Sequence, residues 1–137
     1  MSSIRILVVE DYKAWRARIR SLLQERPQWQ VICEAADGLE AVQKAKELKP
    51  DLVLLDVGLP KLDGIEAARL IRNVSPKSKI VFLTADDSSE VEQAALSTGA
   101  EGFVNKARAH SDLLPAIDAA LRVLLLLAMN IELGYAH

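Results

Sequence analysis

The sequence predicts an α/β protein: a three-layer sandwich in which a five-stranded parallel sheet of order 2-1-3-4-5 lies between helices, five of them in all. Three observations predict it. Short apolar runs alternate with stretches of helical spacing along the 137 residues. Connections of this length imply parallel strands joined by right-handed crossovers. The third and fourth runs, "DLVLLD" and "KIVFLTA", are nearly all apolar, as strands covered by helices on both faces must be.

Each element has its own signal. "IRILVV", Ile4 to Val9, reads as the first strand, rich in β-branched residues. Trp15, Ile19, Leu22 and Leu23 follow at helical spacing, and Arg26-Pro27 ends that helix. "VICEAA" is a second, weaker strand, and Asp37-Gly38 turns the chain. Leu39, Val42, Ala45 and Leu48 form the stripe of a second helix, which stops before Pro50. After the third strand, Ile65, Ala68, Leu70 and Ile71 mark a helix ending near Asn73. The fourth strand leads into a helix from about Ser89 to Ser97, closed by Thr98-Gly99. "GFVN" is the short fifth strand. Ser111 is placed as the N-cap of the last helix, with Asp112 in its positive first turn and Pro115 where that turn ends. The whole fits the flavodoxin-like order.

Composition narrows the function. At 50% apolar and 26% charged, the chain has ordinary globular proportions, and its length suits one domain. A net charge of −2 gives no reason to expect direct nucleic-acid binding by this chain. The lone cysteine, Cys33, cannot close an internal disulfide, which points to a reducing cytoplasm; as part of "VICEAA" it reads as a small buried hydrophobe. The oily run Val123 to Met129 is far short of the roughly 20 residues that span a bilayer, so no membrane association is expected.

Ligands of open parallel sheets bind beyond the carboxyl ends of the strands, where strand order reverses. Those ends carry Glu10-Asp11, Asp56, Thr84 and Lys106. Singly, each has an ordinary explanation as a cap, a strand residue or a solvated cation. Together, three carboxylates, a hydroxyl and a cation would converge on one rim. Two carboxylates about 4 Å apart repel by roughly 4 kcal/mol at an effective dielectric of 20. Three therefore call for raised pKa values or a bound cation, and all-oxygen ligation by few carboxylates suits Mg²⁺. Thr84 can donate to a phosphoryl oxygen and Lys106 can balance its charge. The set suits phosphoryl transfer onto a carboxylate.

The motifs "VVED" at 8–11, "LLDVGLPKLDG" at 54–64, "LTA" at 83–85 and "GFVNK" at 102–106 resemble, in order and spacing, the receiver domains of two-component response regulators. The resemblance covers residues 4 to about 123, which puts a receiver domain at 1–123 and leaves 124–137 as an extension of the last helix or the start of a linker. "EAADG" at 34–38 is similar to the branch whose members often carry a helix-turn-helix output domain. The resemblance implies that Asp56 is the phosphoacceptor. Glu10, Asp11, Asp56 and the backbone carbonyl of Gly58 would hold Mg²⁺, and Lys106 and Thr84 would contact the phosphoryl group. Thr84 and Phe103 would act as the switch pair, and Gly58 and Asp86 would tune phosphoryl lifetime. The implied partners are a sensor histidine kinase and an output domain or downstream protein. The implied role is that of a signalling switch rather than an enzyme, changing its binding on the face of the fourth helix, fifth strand and fifth helix.

Departures and competitors sharpen the reading. The family often has proline after the lysine, usually with a cis bond; Ala107 stands there, so a trans bond and a looser loop are expected. Gly58 has no side chain to guard the acceptor, so water access on that side should be open. A phosphatase of the haloacid dehalogenase type would need a second aspartate two residues after Asp56, where Gly58 stands. A flavin-binding protein would need a loop rich in Ser, Thr and Gly after the first strand, where "EDYKAW" is acidic and bulky. A receiver-like module that only binds would not need the full residue set. In the C-terminal segment, Leu121, Leu124, Leu125, Met129 and Ile131 share a helical stripe while Leu126 and Leu127 point elsewhere. That segment either packs on the parent sheet or forms a homodimer or partner interface.

Overall fold

The structure, a computed structural model, describes the backbone of residues 3–132 and the side chains of residues 3–122. Five strands, β1 (Ile4–Val9), β2 (Trp29–Ala35), β3 (Leu52–Leu55), β4 (Lys79–Thr84) and β5 (Gly102–Asn105), alternate with five helices. The helices are α1 (Lys13–Leu23), α2 (Gly38–Leu48), α3 (Gly64–Val74), α4 (Ser89–Leu96) and α5 (Ala109–Glu132), and a 3₁₀ turn at Lys106–Arg108 leads into α5. All strand pairings are parallel and the sheet order is β2-β1-β3-β4-β5, as expected from the alternation.

The period of two along each strand divides the core. Ile6, Val8, Leu52, Leu54, Val81, Leu83 and Val104 face α1 and α5, packing with Ile19, Leu23, Leu113 and Ile117. Leu7, Val9, Val53, Leu55, Ile80 and Phe82 face the other way, onto Ala41 and Ala45 of α2, Ala67, Ala68 and Ile71 of α3 and Ala95 of α4. The helices on that second face present alanine, so they sit close to the sheet. This small-residue face explains two departures from the expected stripes. Leu39 and Leu70 are exposed, at 55% and 43%, while Ala41 and Ala67 are buried in their stead. An apolar count favoured the larger side chains; close helix–sheet approach selects the smaller ones.

The start of α5 also differs. Ser111 is not its N-cap but lies inside it, since the helix begins at Ala109. The Asn105 side chain caps the preceding 3₁₀ turn by accepting from the Ala107 N–H at 2.8 Å. The chain thus winds directly from turn to helix, and Ser111 instead donates to the Arg108 carbonyl. Pro115 consequently falls beyond the first turn of α5, where the carbonyl of Ser111 loses an intrahelical donor. The backbone of α5 runs on to Glu132, but the Leu124, Leu125, Met129 and Ile131 stripe lies outside the residues whose side chains are described.

The loop after β3 is locked onto α2. A Cβ on Gly38 would stand 1.8 Å from the Leu62 carbonyl oxygen, so only glycine admits this approach. The Gly38 N–H donates to the Pro60 carbonyl, and Lys61 Nζ lies 3.5 Å from Asp37 Oδ2. Asp37 caps α2 by accepting from the Glu40 N–H at 2.8 Å, and Glu40 reaches back to the Ala36 N–H. The Glu40 N–H, with help from the Lys61 charge, holds the Asp37 carboxyl below its ordinary range. A depressed folded-state pKa contributes stability that is present above the unfolded value near 3.8 and is lost as pH falls through the folded one. Asp37→Ala should therefore cost about 1 kcal/mol at neutral pH. Urea unfolding of the two proteins at neutral pH and again at pH of about 3 should show that gap shrinking in acid; a constant gap would mean that the cap is not the source.

Candidate functional site

The carboxyl ends of β1, β3 and β5 bring together three of the expected groups. Val9 pairs with Leu55, so Glu10 and Asp56 leave neighbouring strands at the same level. The Asp56 N–H is held by the Val9 carbonyl and the Glu10 N–H by the Ala35 carbonyl. Continuing the alternation beyond Val8, Leu54 and Val104 assigns Glu10, Asp56 and Lys106 to the face of the sheet covered by α1 and α5.

Lys106 is the centre of the cluster. Its ammonium lies 3.0 Å from Asp56 Oδ2 and 2.6 Å from Glu10 Oε1. All three residues are buried, Glu10 nearly completely at 1% exposure. Glu10 Oε2 accepts from the Tyr12 N–H, and Asp56 Oδ1 accepts from the Gly58 N–H at 3.2 Å. Arg16 braces the same corner, donating to the Glu10 carbonyl at 2.7 Å while its Nε sits 3.4 Å from Glu34. Burial raises the Glu10 carboxyl above its ordinary value, opposed by Lys106 and the Tyr12 N–H and reinforced by the Asp56 charge. Burial works to lower Lys106, but the bond to Glu10 and the charge of Asp56 outweigh it, so its pKa is raised. Lys106 therefore stays a cation throughout the neutral range.

Asp11, which is exposed, completes an acidic group. Glu10, Asp11 and Asp56 each offer a carboxylate oxygen, and these oxygens lie within 4.8 Å of one another. Three hard oxygen donors so close together, against a single ammonium, fit a divalent cation of the Mg²⁺ type.

Thr84 ends β4 and is buried at 2% exposure. Leu55 pairs with Phe82, which puts Thr84 one step beyond the level of Asp56 on the adjacent strand. Its hydroxyl oxygen accepts from the Asp86 N–H at 3.1 Å, which leaves the hydroxyl proton free to donate. The Asp86 carboxylate is itself engaged in the turn into α4, accepting from the Ser88 N–H. Phe103 is half-buried and packs against the second core cluster. It also lines an open cleft of about 290 Å³ with Asp87, Glu92, Asn105, Arg108 and Asp112.

The surroundings of Gly58 are open, and the loop at Ala107 is tighter than expected. A Cβ on Gly58 would meet nothing within 4 Å, and its φ is not positive. Neither steric crowding nor backbone strain requires glycine there. The demanding position is Gly64, where a Cβ would stand 1.9 Å from the Asp56 carbonyl oxygen. The Lys106–Ala107 bond is trans, as expected, since no cis bond occurs among the described residues. The loop, however, is not loose. Besides capping Ala107, Asn105 donates from Nδ2 to Asp87 Oδ2 at 2.6 Å and so ties the β5–α5 turn to the β4–α4 loop. The cap needs the N–H that proline would lack.

Sequence reasoning missed Arg16, Asn105 and Trp15. The Trp15 ring lies 5.1 Å from Lys106 Nζ. Trp15 was assigned to the core stripe of α1; its place one turn after Asp11 was the available signal that it also reaches the rim.

Comparison with known proteins agrees with this fold. A family model described as response regulator receiver domain matches residues 6–118. Protein-glutamate methylesterase/protein-glutamine glutaminase 1 of Methanosarcina acetivorans is 41% identical over 111 residues, 80% of this chain and 32% of its own length. Response regulator protein VraR of Staphylococcus epidermidis is 35% identical over 115 residues, 84% of this chain and 55% of its length. The chain thus spans about half, or less, of these curated relatives. The crystal structure of a LuxR-family two-component response regulator from Aurantimonas sp. SI85-9A1 superposes with a TM-score of 0.83 at 37% identity, covering 88% of this chain and 86% of that one. Among the described residues, no helix is long and apolar enough to cross a membrane.

Proposed function

This chain belongs to the response regulator receiver domain family, and from that premise we propose that it is a phosphorylation switch in which Asp56 accepts a phosphoryl group from the phosphohistidine of a sensor kinase. The observation that carries the reading is the contact of Lys106 with Asp56 beside an acidic group fit for a divalent cation. The domain is taken as residues 1–123, with 124–137 extending its last helix or beginning a linker.

Asp56 has the properties of an acceptor. One of its oxygens faces Lys106 and the other the Gly58 N–H, so the carboxylate is held in a fixed orientation. In the transfer, an Asp56 oxygen forms the new O–P bond as the P–N bond to the kinase histidine breaks, its electron pair returning to the imidazole. Lys106 neutralises charge on the equatorial oxygens, which is where such transfer draws its stabilisation. Glu10, Asp11, Asp56 and the Gly58 carbonyl would hold Mg²⁺, which when bound supplies further positive charge at the phosphoryl oxygens. The acyl phosphate adds roughly 1.5 to 2 negative charges to the rim. Thr84 answers by donating its hydroxyl proton, and Phe103, beside the cleft, responds in turn. The surface of α4, β5 and α5 thereby changes its affinity for an output domain or downstream protein. The open space at Gly58 leaves water a path to the acyl phosphate, which together with Asp86 would set its lifetime. The chain acts on nothing but its own acceptor, so we class it as a switch and not an enzyme of metabolism.

Incubation with acetyl phosphate and Mg²⁺ should add the mass of one phosphoryl group, and chelation by EDTA should prevent it. A chain that takes up nothing from acetyl phosphate or from any phosphorylated kinase would be a binding module only.

A further inference from the structure

We propose that Trp15 is a positioning residue for Lys106, its indole face being the one partner of the ammonium whose charge and occupancy stay constant throughout phosphoryl transfer. The inference rests on the reading of Lys106 as the phosphoryl contact. Three groups face the ammonium: Glu10 Oε1 at 2.6 Å, Asp56 Oδ2 at 3.0 Å and the Trp15 ring at 5.1 Å from its centroid. The last distance lies inside the range of about 6 Å in which a cation is attracted by an aromatic face, and burial strengthens that attraction. Lys106 is only 9% exposed, so little water competes with the ring.

The partners differ in what the reaction asks of them. Glu10 and Asp56 belong to the acidic group that would hold a cation. Asp56 also gives up an oxygen to the new bond. Each carboxylate therefore loses part of its hold on the ammonium as the site is loaded. The indole carries no charge, ligates no hard cation and does not compete for phosphoryl oxygens. Trp15 is anchored by packing against the core cluster beneath α1, and Arg18 Cζ lies 5.8 Å from its ring centroid. A fixed wall on one side of a flexible lysine confines the ammonium to the rim when its carboxylates are occupied elsewhere. Trp15 would thus act through Lys106 without touching the phosphoryl group.

The test compares Trp15→Phe, which keeps an aromatic face, with Trp15→Met, which keeps an apolar side chain and loses the face. Both are made in the full 137-residue chain and checked for folding by thermal melting. With saturating Mg²⁺ and acetyl phosphate, Trp15→Met should label about fivefold or more slowly than wild type, and Trp15→Phe within roughly twofold. A role in packing alone predicts that rates follow melting temperature and gives no rescue by phenylalanine. The second readout needs no transfer. In proton NMR spectra, the Lys106 Cε protons of the wild type should be displaced upfield by the indole ring current. They should return to the ordinary lysine position in Trp15→Met. Wild-type labelling by a folded Trp15→Met protein, or equal loss in the two variants, would overturn the proposal, as would ordinary Lys106 shifts in the wild type. If the wild type itself takes no label, the acceptor assignment fails, while the ring-current shift still decides whether tryptophan holds the lysine.

Discussion

Asp56→Asn is expected to reduce phosphoryl uptake to background while leaving the fold in place. The amide matches the carboxylate in size, and its oxygen can still accept from the Gly58 N–H, which Asp56 Oδ1 now does at 3.2 Å. What is lost is the anionic oxygen that would form the bond to phosphorus, and with it the nucleophile. Stability should move little, because two effects oppose. The ion pair to Lys106 is gone, but so is one of three carboxylates whose oxygens lie within 4.8 Å of each other. At that spacing their repulsion is on the order of the ion-pair attraction. The measurement is intact mass after incubation with acetyl phosphate and Mg²⁺, with a thermal melt beside it. A variant that labels as fast as wild type would place the acceptor elsewhere. A variant that fails to melt cooperatively would mean that Asp56 is needed first as a counter-charge and only secondarily as a nucleophile.

Much of this was legible in the sequence, for a physical reason. The strands are short apolar runs bounded by turn residues, and a parallel sheet forces every functional group to one rim. Reading the strand ends therefore singled out Glu10, Asp11, Asp56, Thr84 and Lys106 without coordinates, and the structure brings Glu10, Asp11, Asp56 and Lys106 together. The helices were harder. Leu39 and Leu70 mark helical spacing but lie at the surface, because α2 and α3 approach the sheet through Ala41, Ala45, Ala67 and Ala68. Hydrophobicity reports affinity for a core; it does not report how near a helix must come. Ser111 misled in another way. Its Ser-Asp pair looks like a cap, but Asn105 had already begun the turn six residues earlier. Arg16, Asn105 and Trp15 reach the site and its loops across elements, through contacts with Glu10, Asp87 and Lys106. Such contacts depend on which helix covers which strand end, and that is settled only by the packed fold.

Lys106→Met is expected to separate two properties that Asp56→Asn cannot. Labelling should fall about 100-fold or more, the usual loss when a group stabilising transition-state charge is removed. Affinity for Mg²⁺ should rise several-fold instead of falling. The ammonium sits 2.6 and 3.0 Å from oxygens of Glu10 and Asp56, two of the three residues available to a cation. It competes for those oxygens and repels a second positive charge. Even at an effective dielectric of 20, unit charges about 4 Å apart interact by roughly 4 kcal/mol, and screening must remove most of that before the effect vanishes. Methionine has the length to fill the slot and packs well against the Trp15 ring. Without a cation, the variant should be less stable by roughly 1–3 kcal/mol at neutral pH, because Glu10 keeps only the Tyr12 N–H as partner. The sign of the pH dependence follows from Glu10. Burial already raises its pKa above 4.5 with Lys106 present, and removing the counter-charge raises it further. A raised folded-state pKa favours the folded protein below the unfolded value and withdraws that support as pH rises through the folded one. The deficit relative to wild type should therefore be small near pH of about 4, grow toward neutrality, and close when Mg²⁺ is added in excess. Calorimetric titration with Mg²⁺ and melts across that pH range measure both. If Mg²⁺ affinity drops along with labelling, Lys106 is not a rival of the cation; it holds the carboxylates in place for it.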